Sequence, residues 1–88
     1  MLYTDVKNIK VGDVFKRKAF TEDGRIVDNG IMECTYVSRS RHMFRFLGCN
    51  DYPDGYIMKV PSLALAEAFF NRCPGVEKTE IKIPEMEQ

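Results

Sequence analysis

The sequence predicts an α+β fold: a curved antiparallel sheet of four to five strands, open or partly closed, packed on one helix that precedes the last strand. Three observations carry this. Several segments alternate apolar and polar residues with a period of two, among them Ile31 to Arg39, Arg41 to Leu47 and Val76 to Ile83. The links between the early segments are too short for parallel crossovers, which need about a dozen residues. One alanine-rich segment, Leu63 to Arg72, is apolar around most of a helical circumference.

In order, DVKNIKVGD spaces Val6, Ile9 and Val11 before Gly12-Asp13, which reads as a turn tucked against the core. Val14 to Phe20 is the first strand. Lys16, Arg17 and Lys18 occupy its middle and cannot all avoid one face, which points to an edge strand or a protruding end. Thr21 to Gly30 holds two turn signals, Asp23-Gly24 and Asn29-Gly30, because Asn, Asp and Gly tolerate positive φ. Arg25-Ile26-Val27 between them is a short strand or a span of loop. Ile31 to Arg39 and Arg41 to Leu47 follow as strands. Pro53-Asp54-Gly55 is a turn, since Pro presets φ and Gly supplies the positive φ. Tyr56 to Val60 is a strand that Pro61 stops. Ser62 is placed to cap the helix, and Pro74-Gly75 to end it. Phe69 and Phe70 should include a main core anchor. Val76 to Ile83 closes the sheet, with 84–88 frayed.

The 88 residues make one domain, 1–88, able to bury one modest core. Hydrophobic residues at 44% and charged residues at 30% place it among globular chains rather than disordered ones. The apolar runs are too short for a membrane span, and MLYTDVKNIK has no signal-peptide core, so the expected location is cytoplasmic. Three cysteines, Cys34, Cys49 and Cys73, suit free thiols in that setting. Formal net charge is zero but unevenly placed. Residues 1–46 hold nine Lys/Arg against six Asp/Glu, and 47–88 hold four against seven. That balance excludes a dedicated duplex-DNA binder and an acidic DNA mimic, while allowing a local basic patch.

The segment RSRHMFRFLG supplies the most pointed candidate site. Period two puts Arg39, Arg41 and Arg45 on one side and His42, Phe44 and Phe46 on the other. Arginines about 6.7 Å apart can follow successive phosphates of a single strand, with Lys16 and Lys18 extending the patch from a neighbouring strand. The plainer account has the phenylalanines filling the core and the arginines solvating the outer face. Single-strand binders place aromatics beside the basic residues for stacking, and strict alternation separates them here. CNDYPDGY adds Tyr52 and Tyr56 in an acidic loop, residue types that make protein interfaces, or that simply cover a sheet edge.

Other chemistry has thin support. A Cys49–His42 thiol pair would need both on one side, whereas alternation sets them opposite. Cys34, His42, Cys49 and Cys73 lack any closely spaced pair to anchor zinc. Asn50, Asp51 and Asp54 do not follow a calcium-loop spacing, and no Gly-rich run opens the helix to hold phosphate. No metal or cofactor is expected. The expectation is a small non-enzymatic binding protein acting by protein–protein contact, a regulator or inhibitor of the size that phages and mobile elements encode. The alternative is a binder of nucleic acid or of a phosphate-bearing ligand through Arg39, Arg41 and Arg45.

Overall fold

The computed structural model describes residues 6–72 and 74–80. Five strands, β1 (Val14–Phe20), β2 (Ile26–Val37), β3 (His42–Leu47), β4 (Ile57–Val60) and β5 (Val76–Thr79), form one antiparallel sheet in the order β4-β3-β2-β1-β5. The sheet is open, with β4 and β5 at its two edges. One helix, α1 (Leu63–Phe70), links those edges. It shares a face of the sheet with a 3-10 turn at Val6–Asn8. The fold is therefore α+β, with the single helix before the last strand, as the sequence predicts.

Burial follows the pleat. His42, Phe44 and Phe46 of β3 are buried on the helix side, while Met43, Arg45 and Leu47 on the outer side are half-buried. The core joins these rings to Phe15, Met32, Cys34, Ala66, Phe70 and Val76. Phe70 meets Phe15 and Phe44 edge-on, with ring centroids 5.0 and 5.5 Å apart. Fully burying one such ring contributes about 1.5–3 kcal/mol. Ser62 caps α1 as expected: its Oγ accepts the Leu65 N–H at 3.1 Å.

Four expectations are corrected. β1 is not an edge strand along residues 14–17, where it pairs with β2 on one side and β5 on the other, while residues 18–20 extend past the last β5 partner as the protruding end that the sequence equally predicts. The charges are tolerated because Lys16 and Lys18 share the outer face, while Arg17 turns inward to a carboxylate described below. Asn29-Gly30 is not a turn, since β2 runs unbroken from Ile26 and only Asp23-Gly24 turns the chain. Register passes from Lys16↔Ile31 to Lys18↔Asp28, so Asn29 and Gly30 together oppose Arg17 in a bulge. The next strand starts at His42, leaving Arg39 and Arg41 exposed in a turn closed by a Ser38 N–H to Arg41 C=O bond of 2.9 Å. Finally, α1 ends at Phe70 and is less buried than its composition suggests. Only Ala66 and Phe70 are buried, and Leu65 is 54% exposed, because the sheet lies under one side of the helix and nothing described covers the other. The expected continuation of the last strand through Ile83, the frayed segment 84–88 and Cys73 lie outside the described residues.

Gly30 explains how the bulge is accommodated. Its φ is +77°, and a Cβ there would stand 2.5 Å from both the Leu47 oxygen and the Gly48 carbonyl carbon. Only glycine permits this approach of the β2 backbone to the end of β3. The bulge in turn leaves Asn29 and Arg17 on the helix side of the sheet.

Candidate functional site

Arg17 lies two residues from Phe15 on β1, so the pleat sends it to the same side as the core. Its guanidinium is almost fully buried and forms a fork with Asp51, Nη1 donating to Oδ1 at 2.7 Å and Nη2 to Oδ2 at 2.9 Å. The rings of Phe46 and Tyr52 lie 5.1 and 5.3 Å from it. A planar, weakly hydrated cation suits such a slot between rings and carboxylate. Asn29 completes the cluster. Its Nδ2 donates to Asp51 at 3.4 Å, and its Oδ1 accepts the Asn50 N–H at 2.8 Å. The hydrogen bonds from Arg17 hold the Asp51 carboxyl below its ordinary pKa.

The segment between β3 and β4 is shaped to deliver Asp51. Asp54 accepts the Gly48 N–H at 2.8 Å, and across the loop the Phe46 carbonyl accepts the Gly55 N–H at 2.7 Å while the Phe46 N–H donates to the Tyr56 carbonyl at 3.0 Å. Tyr52 packs on Phe46 at 4.6 Å and stacks with Tyr56 at 5.0 Å.

Beside this cluster is a cleft of about 350 Å³ at the corner where β1, α1 and β5 meet. Arg17, Asn29 and Asp51 form its polar side, and Phe69, Pro74 and Val76 its apolar side, with Lys18 and Arg72 also lining it. Lys18 Nζ pairs with Asp28 at 3.0 Å. Arg72 is exposed and rests over the Phe69 ring at 4.9 Å. Among the described residues it has no carboxylate partner. The size suits a side chain or small ligand, and the chemistry is recognition: fixed donors and acceptors beside an apolar wall.

The residues expected to bind do not converge. Lys16 and Arg45 are on the outer face. Arg45 donates to Glu33 at 3.4 Å, and Glu33 is itself buried. Arg39 and Arg41 sit in the turn before β3. Tyr52 and Tyr56 belong to the loop on the helix side, Tyr52 half-buried and Tyr56 41% exposed. Of the set, Lys18 alone borders the cleft, and its ammonium is turned away to Asp28 on the outer face. Sequence reasoning missed Arg17, Asn29, Asp51, Phe69 and Arg72 as a site. The readable signal was the Lys16-Arg17-Lys18 triplet, whose middle member must face the side opposite its neighbours.

Other candidates resolve into structure. Cys49 Sγ lies 3.7 Å from the carbonyls of Ile31 and Leu47. His42 is 1% exposed, stacked parallel to Phe44, and neither ring nitrogen has a partner in hydrogen-bonding geometry, although the Val6 backbone is nearby. Burial lowers its pKa. Burial also pushes the Cys34 thiol up to about 11, which keeps it protonated and unreactive. Among the described residues no cluster of three His, Cys, Asp or Glu could hold a metal, and no helix is long and apolar enough to cross a membrane. Comparison with known proteins finds no matching family model, no matching curated protein and no matching solved structure.

Proposed function

We propose that this chain is a non-enzymatic binding protein that acts by protein–protein contact, receiving a projecting group of its partner in the cleft between β1, α1 and β5. The observation that supports this is the pre-ordered polar wall. Arg17, Asp51 and Asn29 already hold one another, so a partner meets fixed groups and little ordering entropy is lost on docking. A binder of this size regulates or inhibits its partner by occupying one of the partner's surfaces. The basic-strand alternative loses support because Arg45 is tied to Glu33, which leaves no continuous row of free arginines.

Site-specific photo-cross-linking tests this. A photoreactive residue replaces Pro74 in the cleft or Ile57 on the outer face, and each protein is exposed to host lysate. The reading expects a discrete protein adduct from position 74, suppressed by excess unmodified chain and absent from position 57. Adducts from position 57 alone would move the interface to the outer face. Nucleic acid recovered by protein with intact Arg39 and Arg41, but not by the Arg39→Ser, Arg41→Ser variant, would favour the alternative.

A further inference from the structure

We infer that the group the cleft accepts is a carboxylate on an apolar stem, presented by the partner as an acidic side chain or a chain end, with Arg72 as the residue that selects for it. The inference rests on the proposed docking at this cleft and adds the chemistry of what docks.

Charge decides the sign. Two cations, Arg17 and Arg72, face the cleft against one anion, Asp51, while Lys18 borders it from β1 with its ammonium turned to Asp28 on the outer face. Asp51 occupies the fork of Arg17. Arg72 then remains as the cation at the cleft without a described counter-ion. It is also held in place, because contact with the Phe69 ring restrains its guanidinium at the rim. A cleft with low-dielectric walls and surplus positive charge concentrates anions.

Magnitude favours a carboxylate over a phosphate. With Asp51 counted, the lining keeps one positive charge, which a carboxylate matches. A phosphomonoester carries about −1.5 to −2 and would leave the cleft net negative. Position points the same way. Phe69 and Arg72 stand at the C-terminal end of α1, where the helix dipole is negative and works against a concentrated dianion. Phe69, Pro74 and Val76 offer an apolar wall that methylene groups can cover and that a bare inorganic anion cannot use.

Four probes test this by NMR titration of the intact chain: acetyl-Leu-Glu-amide, its Gln counterpart, acetyl-Gly-Leu with a free terminal carboxylate, and inorganic phosphate. Shifts are read at the Arg72 Nε–H, the Asn29 side-chain amide and the Gly75 and Val76 N–H groups. The expected result is millimolar binding of one or both carboxylate peptides at these positions, the stronger identifying side chain or chain end. The Gln peptide should bind at least tenfold more weakly. Arg72→Gln, an exposed change whose melt should match the parent, should lose at least tenfold in carboxylate affinity. Equal binding of the Glu and Gln peptides would overturn the charge inference while leaving cleft docking in place. Tighter binding of phosphate would overturn it in favour of a phosphate-bearing ligand. Silence from all four probes would also overturn it, and docking at the cleft would then be judged by the cross-link at position 74.

Discussion

Single residues in this chain differ sharply in what they tolerate, and the differences follow from geometry. Gly24 and Gly30 both have positive φ, but a Cβ at Gly24 meets nothing within 4 Å, whereas one at Gly30 strikes the backbone of Leu47 and Gly48. Gly24→Ala should cost only the left-handed backbone penalty of about 1–2 kcal/mol. Gly30→Ala should cost more than about 3 kcal/mol, because backbone cannot move aside as a side chain does. Urea melts of the two variants test the ordering. The arginines divide in the same way. Arg39→Ser and Arg41→Ser should leave stability within about 0.5 kcal/mol, since both are exposed turn residues. Arg45→Ser should cost about 1–3 kcal/mol, because it strips Glu33, whose side chain is 5% exposed, of its ion-pair partner. Equal effects from all three would mean that the Glu33–Arg45 pair contributes nothing.

Among the elements, α1 is held by a narrow stripe. Phe70→Ala should cost about 3–5 kcal/mol, while Leu65→Ala on the exposed side should cost under about 1 kcal/mol. A denaturant series on both variants checks this, and similar losses would mean that α1 buries a different face. The strand order of types, the hairpin at Asp23-Gly24 and the cap at Ser62 were legible because each rests on local chemistry: period-two patterning, positive φ and a hydroxyl at a helix start. Three features were not legible, for one shared reason. The bulge at Asn29-Gly30, the interior position of β1 and the partner of Arg17 depend on residues distant in sequence. Asn-Gly tolerates positive φ equally in a turn and in a bulge. What decides between them is Gly48, which leaves room only for glycine opposite. A lysine-arginine-lysine run looks like an edge until Asp51 arrives from another loop to satisfy the middle charge. The cleft was illegible on the same ground, since its walls come from five separate parts of the chain.

The whole molecule carries a built-in sensitivity to acid. His42 is buried and neutral, and burial sets its folded pKa below the ordinary value of about 6.5. Once the pH drops below that value, the unfolded chain binds a proton that the folded chain refuses. Stability is therefore complete above the unfolded pKa, declines as pH falls through it, and levels off only when the folded imidazole titrates too. His42→Leu should remove this decline between about pH 7 and pH 5, a comparison made by urea melts at both values. An unchanged decline would place its cause elsewhere. Asp51 acts in a lower window, since its depressed pKa stabilises the fold above the unfolded carboxylate value of about 3.9 and loses that contribution as pH falls through the folded one.

Placing β1 between β2 and β5 has a consequence for the order of assembly. β1 and β2 are joined by a tight hairpin and can pair early, but β1 meets β5 only after β3, β4 and α1 have been threaded between them. That pairing has the greatest sequence separation in the sheet, and such pairings form late because loop-closure entropy opposes them first. Until β5 docks, one side of β1 is an unprotected edge able to recruit a strand from another chain. Gly75 and Val76, which line the cleft, arrive with β5. Ligand-binding competence should therefore be the last property to return in a refolding experiment, after secondary structure and after most of the core, so that occupancy of the cleft serves as a sensor of finished folding.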